Sequence, residues 1–273
     1  MTGTTWTDLA RWAAARLGLP DDEPVSLGGA TGQVFAHGRH VLRTGWSAVL
    51  DTELLAAGAA SSVVPVPTVL DRVDDPGTGR SVVLQPLLPG STAYVDESVG
   101  ERRARRRGEA CGHVHRALAD LAAPAGLPVA AGLGPGTAPS GMAQSEAALP
   151  APPGLLHLDL HPLNLLLGDD DEVVAVLDWT NTAAGPADLD RARTATVLHL
   201  DPEARLIADA PVWRAFVDGW TRVAGLDDVP PVALAWACRY MADDLAARYP
   251  AQAIAHLVTA HDRAADGVVA LRR

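Results

Sequence analysis

Three side chains that could hold a cation and handle a proton crowd into residues 155–190, LLHLDLHPLNLLLGDDDEVVAVLDWTNTAAGPADLD. His157, Asp159 and Asn164 make H-x-D-x-x-x-x-N, and Asp178 follows fourteen residues after Asn164. Carboxylate and amide oxygens are hard ligands suited to Mg²⁺, which keeps several waters and takes one or two protein carboxylates together with substrate phosphates. A further carboxylate beside such a site can accept a proton from an attacking hydroxyl. What must position them is a ribbon. Residues 165–167 and 173–177 are apolar runs around the turn GDDDE, the pattern of a β-hairpin. A hairpin brings its outer ends together, so Asp159 and Asn164 before one strand meet Asp178 after the other. Asp169, Asp170 and Asp171 read as turn residues. His157 reads as structural, packing beneath the loop and hydrogen-bonding its backbone.

The stretch HLDLHPLN with the later DWT resembles the aminoglycoside phosphotransferase family, more closely than it resembles the protein kinases. That family shows H-G-D-x-H-x-x-N, an apolar strand and I-D-W, which His161 and Trp179 fit. The resemblance implies that Asp159 is the catalytic base and that Asn164 and Asp178 hold Mg²⁺. It also implies an α+β, bilobal, protein-kinase-like fold. A mainly β nucleotide-binding lobe would span residues 1–87. A mainly α lobe, 88–273, would carry the catalytic loop and the acceptor. Two positions depart from the pattern: Leu158 and Leu163 stand where glycines are usual. Leucine resists positive φ and adds bulk, so a variant of the family's site is expected.

Composition narrows the chemistry further. All 22 basic residues are arginine. Without lysine there is no Schiff-base enzyme, no pyridoxal anchor and no G-x-x-x-x-G-K-[ST] phosphate loop. The net charge of −11 argues against duplex nucleic acid as a partner and suits a cationic small substrate. Cys111 and Cys238 form no metal or disulfide framework. No leader-like segment and no apolar run of about 18 residues is seen, so a cytoplasmic protein without membrane contact is expected.

In chain order, residues 5–18 have the spacing of an amphipathic helix. Short strands are expected at 25–27, 33–36 and 40–43, with the glycine-rich turn 28–32 between the first two. Backbone N–H groups in such a turn can approach phosphates. The resemblance assigns Gly28, Gly29, Thr31, Gly32 and Val34 to the nucleotide. It also makes Arg43, at the close of the third strand, the phosphate-pairing cation. Residues 44–60 read as a helix carrying its acidic partner, Glu53, with Asp51 as competitor. Strands at 68–73 and 80–86 lead into LQPLLPG. There the family crosses between lobes and pairs with the base, which assigns Gln85 and Leu87, although Pro86 has no N–H to give.

A long helix is expected over 98–122, with the arginine-rich run 101–107 as a solvated face. Residues 123–154 read as mostly irregular, with a short helix near 142–148. Residues 180–190 read as a loop ending at Asp190, which by resemblance holds the catalytic loop through hydrogen bonds. Helices follow over 189–200, 203–224, 232–247 and 252–271.

The activity this implies is transfer of the γ-phosphoryl of ATP or GTP to a hydroxyl of a small cationic molecule. An antibiotic is the first choice, either an aminoglycoside or a basic peptide of the capreomycin/viomycin kind, which would give resistance by inactivation. Two alternatives stand beside it: a metabolite kinase for an amino alcohol or sugar, and a catalytically silent nucleotide-binding protein of kinase fold. Either a monomer or a homodimer would serve.

Overall fold

Helix α1 (Trp6–Arg16) opens the first lobe. Thr5 starts it through a capping box, its hydroxyl accepting from the Asp8 N–H while the Asp8 carboxylate accepts from the Thr5 N–H. The buried side of α1, Leu9, Ala10, Ala13 and Ala14, packs with Phe35, Leu42, Val82 and Leu84. These last four belong to an antiparallel sheet of β1 (Val25–Ser26), β2 (Val34–His37), β3 (His40–Trp46), β4 (Asp71–Asp75) and β5 (Arg80–Pro86). The strand order is β1-β2-β3-β5-β4, with α2 (Ser47–Ala60) inserted after β3. The computed structural model describes residues 5–28, 33–130 and 153–268. The expected turn residues 29–32 and the expected helix near 142–148 lie outside them.

The molecule is α+β with a kinase-like arrangement. The second lobe holds two small sheets among helices. One sheet joins β6 (Ser91–Thr92) to the hairpin β8 (Leu165–Leu167) and β9 (Val173–Val176). The other pairs β7 (Gly154–Leu156) with β10 (Ala183–Gly185). The helices are α3 (Glu101–Ala119), α4 (Ala187–Leu200), α5 (Pro202–Leu206), α6 (Pro211–Ala224), α7 (Pro231–Leu245) and α8 (Ala251–Ala265). Helices α3 and α6 cross almost in backbone contact. A Cβ at Gly108 would lie 2.0 Å from the Phe216 carbonyl oxygen, and one at Gly219 2.2 Å from that of Arg105. No larger residue fits at this crossing.

Several boundaries differ from the sequence reading. β3 does not end at Arg43 but continues to Trp46, because β5 pairs with it from His40↔Pro86 to Trp46↔Arg80. Arg43 is therefore held mid-strand. The strand expected from residue 68 begins at Asp71. The helix expected over 203–224 is two, since Pro211 starts a new one. Residues 183–185, expected in a loop, form β10 against the strand that leads into residues 157–164.

The arginine run is the larger correction, because it is not simply a solvated face. Arg103, Arg106 and Arg107 fall at i, i+3 and i+4 on one side of α3, and all three converge on Asp171 of the hairpin turn. Arg103 Nε and Arg107 Nε each donate to Asp171 Oδ1 at 2.8 Å, with Arg106 at 3.5 Å. Asp171 is buried and lies at φ 67°, so it anchors the ribbon to α3 as well as turning it. Burial alone would raise its pKa, but Arg107 and Arg103 outweigh that and hold it below the usual aspartate value.

Asp171→Ala leaves the buried Arg107 without its carboxylate. We expect a loss of about 2–3 kcal/mol, read as a fall in Tm of roughly 4–6 °C. In the native protein this contribution is complete above the ordinary aspartate pKa of about 3.9. It disappears as pH falls through the lowered one.

Candidate active site

β7 delivers the chain into residues 157–164, and α4 grips that loop from behind. Asp190 accepts from the N–H of His157 at 3.1 Å and from that of Leu158 at 2.7 Å. Arg193 Nε donates to the Leu158 carbonyl at 3.3 Å, and the Thr194 hydroxyl to the Leu160 carbonyl at 2.6 Å. His157 is fully buried against Trp179, ring centroids 4.6 Å apart. Its Nδ1 lies 3.2 Å from the Asp159 N–H and its Nε2 2.9 Å from the Leu177 carbonyl. The neutral tautomer with the proton on Nε2 satisfies both contacts, and it ties the loop to the end of β9.

Leu158 adopts φ 60°, the left-handed conformation for which the usual glycine would be suited. A branched residue there costs about 1–2 kcal/mol. Its side chain is 2 % exposed, in the cluster containing Leu156, Leu189 and Trp236, and removing a buried leucine side chain costs about 2–5 kcal/mol. Burial outweighs the backbone cost. Leu158→Gly is therefore expected to destabilise by about 2 kcal/mol in denaturant titration, despite relieving the backbone. Leu163, the other departure, is exposed and has no positive φ.

Asp159 and Asn164 are in direct contact. The Asn164 amide nitrogen lies 2.9 Å from the Asp159 carbonyl and 3.3 Å from its Oδ2. His161 Nε2 is 3.6 Å from Asp159 Oδ2, and Arg193 Nη2 is 3.7 Å from Oδ1. Burial pushes the Asp159 pKa up, but His161 and Arg193 more than offset this and bring it to about 2. The group is a carboxylate at any ordinary pH.

Asp178 lies just past β9, at φ 58°, a conformation Asp tolerates better than most residues. The hairpin pairs Leu165 with Val176, and the Leu177 N–H donates to the Asn164 carbonyl at 2.8 Å. This brings Asn164 and Asp178 to the same end of the ribbon.

Across the lobes, Arg43 Nη2 donates to Asp178 Oδ1 at 2.8 Å, while Arg43 Nε donates to Glu53 Oε2 at 2.7 Å. Thr180 completes the knot. Its hydroxyl lies 2.6 Å from Asp178 Oδ1 and 2.9 Å from Glu53 Oε1, and accepts from Arg43 Nη2 at 2.9 Å. Burial works against the charge of Arg43, but Glu53 and Asp178 outweigh it and raise its pKa. Burial likewise pushes the Asp178 pKa up, and Arg43 and Thr180 bring it below the usual value. Asp51, the competitor for Arg43, pairs with Arg72 instead.

The remaining nucleotide candidates are spread along the first lobe. Gly28, at φ 83°, follows β1, Val34 lies opposite Arg43 on β2, and Gln85 lies opposite Val41 on β5. Gly29, Thr31 and Gly32 fall outside the described residues. The Leu87 N–H donates to the Arg39 carbonyl at 2.9 Å, which leaves the Leu87 carbonyl as its backbone group for a base.

The donor set fits Mg²⁺ of the phosphate-bridged kind. The Asn164 nitrogen is spent on Asp159, leaving its carbonyl oxygen, and both protein contacts of Asp178 fall on Oδ1. Among the described residues no three His, Cys, Asp or Glu side chains form a metal cage. Mg²⁺ does not require one when phosphates and water complete its shell.

Residues 129–226, which contain this loop and hairpin, match the model of the phosphotransferase enzyme family. The chain resembles the aminoglycoside phosphotransferases in sequence motif and in fold. A thermostable mutant of aminoglycoside phosphotransferase APH(4)-Ia, solved with ADP and hygromycin B, superposes with a TM-score of 0.61 at 16 % identity. The match covers 97 % of this chain and 100 % of that one. The aminoglycoside-3'-phosphotransferase of type VIII gives 0.57 at 19 % identity, over 85 % and 97 %. The macrolide 2'-phosphotransferase MphH from Brachybacterium faecium gives 0.52 at 18 %, over 93 % and 98 %. At these identities the structural likeness speaks to the fold. No curated protein sequence matches the chain.

Sequence reasoning missed two residues in this constellation. Thr180 was within reach, being next but one to Asp178 in DWT. Arg193 was not, because only the packing of α4 against the loop brings it to Asp159.

Proposed function

We propose that the protein transfers the γ-phosphoryl group of ATP or GTP, with Mg²⁺, to a hydroxyl of a small molecule. The observation that carries this reading is the interlobe knot of Arg43, Glu53, Asp178 and Thr180 beside the contacting pair Asp159 and Asn164. A phosphate-pairing cation, a metal-binding carboxylate and a hydroxyl-orienting carboxylate are the parts that phosphoryl transfer needs.

Asp159, a weakly basic carboxylate, orients the acceptor hydroxyl and takes its proton late, as suits a loose transition state. Asn164 and Asp178 would hold Mg²⁺, which would supply charge neutralisation for the nucleotide phosphates. Arg43, with Nε on Glu53 and Nη2 on Asp178 and Thr180, would offer Nη1 to phosphate oxygens. Positioning and charge neutralisation supply most of the acceleration.

An antibiotic acceptor remains the first reading, since proteins of the same fold include one crystallised with hygromycin B and a macrolide phosphotransferase. A less cationic acceptor, such as a macrolide, a sugar or an amino alcohol, is favoured by a separate observation. Asp244, which shares Arg193 with Asp159, is also paired with Arg248 at 3.0 Å. It therefore presents little uncompensated negative charge to a polycation.

Calorimetric titration with ATP and GTP, with and without Mg²⁺, tests the nucleotide half of the proposal. Saturable binding strengthened by Mg²⁺ is expected. No binding of either nucleotide would defeat both the phosphotransferase and the silent-binder readings.

A further inference from the structure

Arg193 is an expensive residue to keep where it is. Its side chain is 4 % exposed, and a buried cation loses several kcal/mol of hydration unless its partners are close and well directed. They are not. Nη2 stands 3.7 Å from Asp159 and 3.6 Å from Asp244, both beyond hydrogen-bond length. Among the described residues Nε makes only the 3.3 Å contact with the Leu158 carbonyl, and Nη1 is buried without a hydrogen-bond partner. The Tyr240 ring, 5.2 Å from the guanidinium carbon, adds a weak cation–π contact. A well-packed apolar side chain would serve stability better, so stability does not explain the residue.

Its location supplies another role. Asp190 and Arg193 lie one turn apart on α4 and grip opposite polarities of the same backbone. Asp190 takes the N–H groups of His157 and Leu158, and Arg193 takes the Leu158 carbonyl. Leu158 is the residue held at φ 60°, immediately before Asp159. The same guanidinium then stands within ion-pair range of the Asp159 carboxylate, at 3.7 Å. One group thus restrains both the strained peptide and the side chain it carries, and Asp244 and Tyr240 of α7 hold that group from the far side.

We propose that Arg193 is a positioning residue for the phosphotransferase reaction, aiming the Asp159 carboxylate at the acceptor hydroxyl. The proposal rests on the function assigned above. It assigns Arg193 no contact with nucleotide or acceptor, and its whole effect passes through Asp159.

The test is a double-mutant cycle of Arg193→Met and Asp159→Asn, with Arg193→Lys alongside. Turnover is followed as nucleotide consumption, with acceptor or with water, and nucleotide affinity and Tm are measured on each variant. A misaimed catalytic group costs about 100-fold, so Arg193→Met should lower kcat by about that factor while leaving nucleotide affinity within roughly threefold of wild type. In the Asp159→Asn background the same change should cost less than about threefold, because coupled residues are not additive.

Arg193→Lys keeps the charge and loses the fork, and should fall between wild type and Met. If the Met variant does not fold, the Lys variant decides: an unchanged kcat would overturn the proposal and a reduced one with unchanged Tm would support it. Multiplicative losses in the cycle, or full activity in Arg193→Met, would overturn the positioning role and leave the phosphotransferase reading standing. No turnover of nucleotide by the wild-type protein would overturn both.

Discussion

Asp159→Ala is expected to lower kcat by about 10²–10⁴-fold, the usual range for loss of a positioned general base. Nucleotide affinity should hardly change. Among the described residues the polar contacts of Asp159, with Asn164, His161, Arg193 and the loop backbone, lie within the second lobe, whereas Arg43, the proposed phosphate-pairing cation, belongs to the first. Stability should fall modestly, because the buried Arg193 is left with Asp244 as its carboxylate partner. Rapid-mixing kinetics with the acceptor, together with nucleotide titration, separates the two effects. A variant that loses nucleotide binding along with kcat would show that Asp159 belongs to the nucleotide site.

Asp178→Ala should be comparably damaging, by a different route. Metal stabilisation of developing phosphate charge is worth several kcal/mol, or roughly 10³-fold in rate. Its signature is thermodynamic as well as kinetic: the variant should bind nucleotide with nearly equal affinity in the presence and absence of Mg²⁺. Arg43 should remain in place, since its Nε bond to Glu53 does not involve Asp178. If the variant still binds nucleotide more tightly with Mg²⁺, to the wild-type extent, the metal role of Asp178 is wrong. Because Asp178 is also tied to Arg43 and Thr180, Asp178→Asn is a useful companion. It keeps the shape of the knot and removes the charge.

Much of the fold was legible because local patterns carried it. Two apolar runs around an aspartate-rich turn gave the β8–β9 hairpin, and its pairing of Leu165 with Val176 brings Asn164 and Asp178 to one end. The partnership of Arg43 with Glu53 came from resemblance, and the geometry places them 2.7 Å apart. What stayed hidden depends on distant packing. The spacing of residues 101–107 puts Arg103, Arg106 and Arg107 on one helix face, but nothing in it shows that Asp171 will meet them. The β10 strand has only alanines and a glycine, without the branched residues that signal strands. Leu158 was expected to resist positive φ, yet it adopts it, because Asp190 holds its N–H and the core holds its side chain. Tertiary contacts outweighed a local preference worth about 1–2 kcal/mol.

The central claim, phosphoryl transfer to a hydroxyl, is tested most directly by mass spectrometry of candidate acceptors after incubation with the protein, Mg²⁺ and ATP or GTP. The panel should hold aminoglycosides, viomycin-type peptides, macrolides, amino alcohols and sugars. A gain of one phosphoryl group on one acceptor, absent with Asp159→Ala, is the expected result. Binding of nucleotide with no acceptor phosphorylated across the panel, and no nucleotide consumed, would contradict it and leave a silent binder of kinase fold.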